Sequence, residues 1–314
     1  MTGTINRYFL LRPAIQYSQS IPIPTRRKLT PETEMTLQDA LVQTASQVAT
    51  DFIAPASAAA LAATLDCASV PQATQPLPPM WHWLYFWSAA PQAEIGQDGH
   101  PKTGGFLPDL GLPRRMAAGG RFTFHAPLVV GSSASRESSI VSTEHKEGRS
   151  GRLAFVTVRH DITSDGELLI REEQDIVYRE AATPGQKAPP PTAAPSGAEW
   201  ERTIAPTEVL LFRYSALTFN GHRIHYDRQY AQSVEGYPDL VVHGPLIATL
   251  LLDTVARFVP GAVVREYTYK AVRPTFLGNT FSVSGRRSEG GKTIQLWATD
   301  HEGWLTMSAN AILA

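Results

Sequence analysis

The sequence has little cysteine, little net charge and no long apolar run. Cys67 is the single cysteine, so no intrachain disulfide can form, which fits a reducing compartment. The formal net charge of −1 gives no electrostatic reason to expect nucleic acid or an anionic membrane as a partner. The longest mildly apolar run, residues 52–65, contains Pro55 and is too short to span a membrane. We therefore expect a globular protein with no nucleic-acid partner and no membrane partner.

Acidic residues are absent from residues 1–31, so we treat residues 1–35 as an N-terminal leader. An organelle-targeting peptide has this composition, and so does an ordinary basic leader. We expect a cytoplasmic protein, with a mitochondrial location as the alternative. The basic side chains of this stretch are Arg7, Arg12, Arg26, Arg27 and Lys28.

A stretch rich in proline, alanine and glycine, EAATPGQKAPPPTAAPSGAEWE, divides the rest of the chain. It has no apolar periodicity, which is typical of an exposed connection. We place the linker at residues 181–200, an N-terminal half at 36–180 and a C-terminal half at 201–314.

The C-terminal half begins its core with an apolar segment, residues 244–259, that lacks internal glycine or proline and predicts a buried helix. Four runs after it have the composition of strands and are separated by glycine-containing turns. The predicted strands are residues 263–272, 280–287, 292–299 and 304–313.

The N-terminal half repeats this plan less plainly. A Gly/Pro-rich stretch, residues 112–120, precedes four further strand-like runs, and residues 164–167 form a good hairpin turn. Two halves, each with a helix wrapped by an antiparallel sheet, indicate an α+β double domain. The predicted strands here are residues 121–130, 136–148, 152–162 and 168–179.

The segment FNGHRIHYD, residues 219–227, combines an amide, two imidazoles and a carboxylate. We expect it to follow a strand at 208–216 and to precede a short helix at 227–235. Asp227 is well placed to cap that helix, because its carboxylate can accept from the first free amides. Asn220 and Gly221 favour a tight turn or left-handed backbone.

His222 and His225 can each be an ordinary core or surface histidine, and two functional readings are open as well. In the first they bind a metal ion, with His243 as a third ligand. In the second they serve acid–base chemistry next to the helix that Gly244 and Pro245 begin. The free amides and positive dipole end of that helix can stabilise an anion, as a reaction with a developing oxyanion requires.

Residues 212–227 and 235–246, with residues 104–120 and 147–162, resemble the MaoC-like, type 2 enoyl hydratase group of double-hotdog proteins. The resemblance is strongest to the branch of itaconyl-CoA and mesaconyl-C4-CoA hydratases and mitochondrial type 2 hydroxyacyl-thioester dehydratases. It covers roughly residues 36–314 and implies an α+β double hotdog, two central helices each wrapped by an antiparallel sheet.

The resemblance also implies site residues. Hydratases of the group hold a water with an Asp and, five residues later, a His. The His position matches His225, but the Asp position is Asn220, which can position a water and cannot take a proton. The oxyanion amide corresponds to Gly244, and Asp227, His243 and His222 would support the site. The N-terminal half has no such His loop and would shape the acyl or CoA tunnel.

Several residues are candidates for substrate binding. Arg114 and Arg115 would meet the free carboxylate of a dicarboxylic substrate through paired hydrogen bonds, or form a surface pair. Arg273 would meet a CoA phosphate or edge a strand. The aromatic segment 80–87 would line an acyl cavity or belong to the core. Ala117 stands where the branch has an aromatic residue.

We therefore expect a hydro-lyase that adds water to an acyl-CoA substrate, a dicarboxylic enoyl-CoA, without metal or organic cofactor. One alternative is a 3-hydroxyacyl dehydratase of fatty-acid synthesis acting on a carrier protein. Others are a non-catalytic acyl-CoA-binding module and a hotdog thioesterase, although no carboxylate is convincingly placed for the latter. A double hotdog can be complete as a monomer or pair into a dimer, and we expect a homodimer.

Overall fold

The computed structural model describes residues 46–148, 151–181 and 190–314. The predicted leader and the centre of the predicted linker lie outside these ranges. The strands are β1 Ser46–Phe52, β2 Arg114–Phe124, β3 Ser133–Gly148, β4 Gly151–Ser164, β5 Glu167–Arg179, β6 Trp200–Ile204, β7 Val264–Ala271, β8 Phe281–Arg287, β9 Thr293–Thr299 and β10 Leu305–Leu313. The helices are α1 Pro55–Thr64, α2 Glu208–Thr218, α3 Arg228–Ser233 and α4 Gly244–Phe258, with 3-10 turns at Trp81–Leu84, Gln92–Glu94 and Arg223–His225.

The strands form one antiparallel sheet in the order β1-β3-β4-β5-β2-β7-β10-β9-β8-β6. Both halves have the same strand order when read outward from the centre. It is β2, β5, β4, β3, β1 in the N-terminal half and β7, β10, β9, β8, β6 in the C-terminal half. The halves meet where β2 pairs with β7, from Gly119 opposite Lys270 to Thr123 opposite Glu266. A Cβ on Gly119 would lie 2.7 Å from the carbonyl oxygen of Tyr269, so this junction requires glycine.

The two halves differ in their helices. In the C-terminal half, α4 is buried over most of its length and packs against β8, β9 and β10. In the N-terminal half, the shorter Ala-rich α1 buries Ala58, Leu61 and Ala62 and packs against α2. No helix among the described residues is long and apolar enough to cross a membrane.

The predicted helix and four strands of the C-terminal half are confirmed to within one or two residues at each end. The prediction was wrong at residues 208–216, which form helix α2 rather than a strand. The hydroxyl of Thr207 caps this helix by accepting from the amide of Leu210 at 3.1 Å. Leu211, Tyr214 and Ser215 are buried at helical spacing, whereas the exposed Val209 and Phe212 gave the segment its strand-like composition.

A second correction concerns residues 112–120, expected to lie before the first strand of the group. Most of them belong to β2, and residues 125–130 lie beyond its end. The two glycines suggested a turn, but they are needed because neighbouring groups approach closely: a Cβ on Gly120 would meet the Tyr269 ring at 2.9 Å.

The aromatic segment 80–87 lies mainly in the core. The indole of Trp83 meets the rings of Phe122 and Tyr269 edge-on across the junction between the halves. His82 Nε2 and Trp83 Nε1 each lie 3.0 Å from a carboxylate oxygen of the buried Glu172. This part of the N-terminal half therefore contains a buried charged group within an aromatic wall.

Candidate active site

The histidine loop connects α2 to α3. Phe219, rather than Asn220 or Gly221, has the left-handed backbone (φ 51°) that ends α2. The expected turn at Asn220 is present, because its Oδ1 accepts from the amide of His222 at 3.0 Å. The expected cap is confirmed as well: Asp227 Oδ1 accepts from the amide of Tyr230 at 3.0 Å. Arg223 binds the other oxygen of Asp227 at 2.6 Å, so this carboxylate is committed to holding the loop.

His225 is buried and oriented by the main chain. Its Nδ1 lies 2.7 Å from the carbonyl oxygen of Val241. A carbonyl can only accept, so Nδ1 carries the hydrogen and Nε2 keeps its lone pair. Burial lowers the pKa of His225 to about 4, and the Val241 carbonyl opposes that change. The ring is therefore a neutral base with one defined accepting nitrogen.

His243 lies directly before α4 and is fully buried. Its Nε2 is 2.8 Å from the hydroxyl of Ser215, and its ring stacks on that of His225 with centroids 3.7 Å apart and planes inclined by 18°. Burial and the neighbouring imidazoles of His225 and His222 hold the pKa of His243 well below its usual value.

This stacking contradicts the metal reading that used His222, His225 and His243. The lone pairs of an imidazole lie in its ring plane, and two stacked, nearly parallel rings with centroids 3.7 Å apart do not direct them to one point. The ring of His222 is nearly perpendicular to that of His225, at 87° and 5.5 Å. The three histidines form a packed cluster and lack the geometry of a three-ligand site.

A second loop, which contains Asp98 and His100 and which the sequence reasoning missed, packs against His222 of this cluster. The Asp98 Oδ2 atom accepts from His100 Nδ1 at 2.9 Å, and the His100 ring lies 4.2 Å from that of His222. Ligand-capable atoms of these three residues lie within 4.8 Å of one another. Burial alone would raise the pKa of Asp98, but the hydrogen bonds and charge of His100, with the charge of Arg115, lower it to about 2. Burial, with the charges of His100 and His225, lowers the pKa of His222 to about 2.

The main chains of the two loops interlock. The amide of Arg223 donates to the carbonyl of Asp98 at 2.9 Å, and its guanidinium donates to the carbonyl of Gln97 at 3.0 Å. A Cβ on Gly99 would lie 1.9 Å from the Gly221 oxygen, and a Cβ on Gly221 would lie 2.7 Å from the Gly99 oxygen. Both glycines are therefore required for the contact, a role that no local pattern in either segment reveals.

Helix α4 begins at Gly244, next to His243 and the stacked His225. The first amides of a helix have no intrahelical acceptor, so they and the helix dipole can stabilise negative charge. A Cβ built on Gly244 would meet only the Met307 methyl group, at 4.0 Å. The protein itself thus leaves room for a side chain at this position.

The arginines occupy three different environments. Arg114 Nε lies 2.5 Å from an oxygen of the buried Glu235. Arg115 donates to the carbonyl of Pro101, and its Nε is 3.6 Å from Asp98 Oδ2, which places it beside the His100–His222 contact. Both side chains are largely buried, so the surface-pair reading was wrong. Arg273 lies 3.4 Å from a carboxylate oxygen of Asp300, beyond the end of β7.

Comparison with known proteins places this geometry in a family context. The family model described as hydroxyacyl-thioester dehydratase type 2 matches residues 80–277. The chain is 47% identical over 264 residues to mesaconyl-C(4)-CoA hydratase of Chloroflexus aurantiacus, covering 84% of this chain and 93% of that protein. It is 28% identical over 273 residues to the mitochondrial hydroxyacyl-thioester dehydratase type 2 of Schizosaccharomyces pombe, covering 76% of this chain and 89% of the yeast protein.

The fold is shared with solved structures of low sequence identity. A MaoC-like dehydratase from Phytophthora capsici superposes with a TM-score of 0.59 at 14% identity, covering 86% of this chain and 95% of that chain. HtdX from Mycobacterium tuberculosis gives 0.58 at 17% identity, covering 84% and 99%. The expected double hotdog is confirmed, and the chain belongs to the hydroxyacyl-thioester dehydratase type 2 family.

Proposed function

We propose that this protein is a hydro-lyase that adds water reversibly across the double bond of an enoyl-CoA thioester. One observation carries the proposal: His225 is a buried neutral base whose Nδ1 is committed to Val241 and whose Nε2 has no hydrogen-bond partner among the described residues, next to the first amides of α4. A base beside an oxyanion-stabilising helix end is the arrangement that hydration of an enoyl thioester needs. The name of the Chloroflexus relative supports the same reaction.

The water would be held between His225 and Asn220. Because Asn220 Oδ1 accepts from the His222 amide, its amide NH₂ group is the part available to donate to the water oxygen. His225 Nε2 accepts one water hydrogen. Asn220 thus positions the water and His225 activates it, without a carboxylate at position 220.

In the addition step, the water oxygen bonds to the β-carbon as His225 Nε2 takes a water proton. The electron pair of the double bond moves through the α-carbon to the thioester oxygen, giving an enolate. The amide of Gly244 and the α4 dipole stabilise the negative oxygen. The proton on His225 then passes to the α-carbon, which restores the base and the thioester. Dehydration follows the same steps in reverse.

The reaction as proposed uses no metal and no organic cofactor, because the thioester itself makes the α-carbon acidic. Dialysis against EDTA should therefore leave kcat and KM unchanged. Loss of turnover after dialysis, restored by a divalent cation, would contradict this part of the proposal. Asp98, His100 and His222 would then be the candidate metal ligands.

The proposed substrate has a second carboxylate, as in itaconyl-CoA or mesaconyl-C4-CoA. Of the arginines considered, Arg115 is the best placed for that carboxylate, because it lies beside the His100–His222 contact. Arg115 also pairs with Asp98, but Arg114 lies against Glu235 and Arg273 against Asp300, and neither of these pairs borders the His100–His222 contact. Arg114 would thus hold the loop after α3, and Arg273 remains a candidate for a CoA phosphate.

The test is loss of absorbance at the enoyl-thioester band with itaconyl-CoA, mesaconyl-C4-CoA, crotonyl-CoA and a long-chain enoyl-CoA. Fast loss with the dicarboxylic substrates alone supports the whole proposal. In that case Arg115→Gln should raise KM for them more than for crotonyl-CoA. Binding without turnover for every compound would overturn the proposal and indicate a non-catalytic acyl-CoA-binding protein.

A second candidate function is dehydration of a 3-hydroxyacyl thioester on a carrier protein. The family description and the fission yeast relative favour it. Turnover of a 3-hydroxyacyl carrier-protein thioester at a kcat/KM above that of every CoA thioester would select this alternative.

We also propose a homodimer in the cytoplasm. The exposed apolar side chains Val209 and Phe212 on α2 support self-association, and the free Cys67 supports a reducing compartment. Light scattering after gel filtration tests the first point. Localisation of the tagged full chain tests the second, and import into mitochondria would favour the alternative.

A further inference from the structure

Two titratable residues next to the site have no role in the steps above. Asp98 and His100 belong to the N-terminal half, whereas His225, Asn220 and Gly244 all belong to the C-terminal half. The contact between Gly99 and Gly221 leaves no space for a side chain on either residue. The backbone is therefore built to bring Asp98 and His100 against the histidine loop.

A continuous series of contacts runs from the Asp98 carboxylate to His225. Asp98 accepts from both the main-chain amide of His100, at 3.0 Å, and its ring Nδ1, at 2.9 Å. These two bonds fix the orientation of the imidazole. The His100 ring then lies 4.2 Å from that of His222, which in turn meets the His225 ring edge-on at 5.5 Å.

The same atoms can be considered as a cation site, but their hydrogen bonds argue against that use. Both oxygens of Asp98 already accept from His100, and the positive Arg115 Nε is 3.6 Å away. A cation would have to displace a formed ion pair next to a guanidinium. The arrangement suits the orientation of an imidazole by a carboxylate better than the binding of a metal ion.

We infer that His100, oriented by Asp98, is a positioning residue of the general base: it packs on His222 and so holds His222 against His225. This inference rests on the proposed function, since it assigns His100 to the same site. It makes the N-terminal half a direct part of the catalytic arrangement, in addition to shaping a tunnel.

His100 also acts electrostatically. Among the described residues, the charged and titratable groups facing His222 are His100, His225, His243, Asp98 and Arg115, and those facing His225 are His243, His222 and His100. A positive charge on His100 opposes protonation of both neighbours. Removing that ring should therefore let His222, and to a smaller extent His225, take up a proton at higher pH.

The experiment compares His100→Gln and Asp98→Asn with wild type and with His125→Gln as a matched control. His125 is exposed and follows the far end of β2 from Arg115. With whichever enoyl-CoA the wild type hydrates, we expect kcat of both site variants to fall about tenfold or more, the scale of a displaced catalytic group. In His100→Gln, KM should stay within about threefold, because His100 orients the base. Asp98→Asn also removes the carboxylate beside Arg115, so only its kcat is compared.

A purely structural role would lower thermal stability without moving the pH profile. The inference instead requires the acid limb of kcat/KM in His100→Gln to move to higher pH. His100→Phe separates packing from charge: it should recover part of kcat by filling the space against His222, yet keep the shifted limb. The inference is overturned if kcat of His100→Gln stays within twofold of wild type and the acid limb of its kcat/KM profile stays at the wild-type pH.

A second readout separates this inference from the proposed function. Histidine-selective ¹⁵N NMR follows the protonation of His222 and His225 without any substrate. Should the wild type hydrate no thioester, the proposed function fails, but the titration still decides the inference. A shift of His222 titration to higher pH in His100→Gln, absent in His125→Gln, supports the link between His100 and His222, and unchanged titration overturns it.

Discussion

The imidazole rings of His225 and His243 stack nearly parallel, with centroids 3.7 Å apart. Their hydrogen-bond partners are neutral: the carbonyl of Val241 for one ring and the hydroxyl of Ser215 for the other. A proton added to either ring would lie in a buried place next to another imidazole. Both rings are therefore held neutral, and the stack presents His225 Nε2 as a base in a fixed orientation.

Replacing His225 by glutamine should lower kcat/KM by about 10²–10⁴-fold, the usual contribution of a general base. Binding of a saturated acyl-CoA, measured by calorimetry, should change little, because the ring acts on water and not on CoA. His125→Gln serves again as the control. If His225→Gln keeps most of the wild-type turnover, His225 is not the base.

The pH profile should have an unusually low acid limb. The pKa of His225 is lowered from 6.5 to about 4, so the base stays unprotonated through pH 5 and becomes protonated only as the pH approaches 4. The value of kcat/KM, which reports the free enzyme, should be flat between pH 6 and 7 and fall by half near pH 4. A half-maximal point near pH 6.5, the ordinary value for histidine, would contradict this orientation and burial of the base.

Gly244→Ala should separate folding from function. In the free protein the added methyl meets only the Met307 methyl at 4.0 Å, and the backbone of Gly244 does not have positive φ. The melting temperature should therefore stay close to that of the wild type. A thioester oxygen held by the Gly244 amide would be displaced by the methyl, so kcat should fall by about 10²-fold or more. Unchanged kcat in a stable variant would remove Gly244 from the oxyanion site.

Asn220 should tolerate aspartate better than alanine. Aspartate keeps the oxygen that accepts from the His222 amide, whereas alanine loses both that bond and the water contact. We expect Asn220→Ala to lose about tenfold or more in kcat and roughly 1 kcal/mol of stability. Asn220→Asp should keep kcat within about tenfold of wild type, since the loop remains intact. Equal losses in the two variants would show that the amide NH₂ group is indispensable.

Local pattern was sufficient for residues 244–314, because α4 and β7–β10 have strong periodicity and clear glycine turns. It failed at α2, where exposed Val209 and Phe212 resemble strand residues and the deciding contacts are with distant parts of the chain. Local pattern also failed at the glycines of β2, which suggested a turn, because the deciding contact is again with a distant part of the chain. Their small size is needed by β7, a partner about 150 residues away in sequence, which local pattern cannot reveal.

The site shows the same division. The segment that contains Asn220, His225 and Asp227 could be found from its polar composition and the cap that Asp227 implies, and the resemblance supplied the roles of Asn220 and His225. Asp98 and His100 could not, because a short polar loop has no periodicity and the contact with Gly221 exists only after the halves pair. The available signal was two titratable residues in a Gly-rich loop, which is weak alone. A site built between two halves is therefore only half visible in sequence.

The buried carboxylate of Glu172 should make stability depend on pH. It accepts from His82 Nε2 and Trp83 Nε1, each at 3.0 Å. Burial alone would raise the pKa of Glu172, but the hydrogen bond and charge of His82 outweigh it and hold the pKa below its usual value of 4.5. A carboxyl with a lowered folded-state pKa contributes stability above pH 4.5 and loses it as the pH falls through the lower value.

Glu172→Gln should therefore lower the free energy of unfolding at pH 7 by about 1.5–3 kcal/mol, the range for a hydrogen bond to a charged group. Glu167→Gln, at an exposed position at the start of the same strand, should change it little. Urea unfolding at pH 7, 5 and 4 measures the difference. The difference in the free energy of unfolding between wild type and Glu172→Gln should be constant from pH 7 to 5. It should shrink toward pH 4 and below, because the wild-type carboxyl becomes protonated there. A difference that grew on acidification would mean that Glu172 is protonated in the folded protein and that His82 does not stabilise its charge.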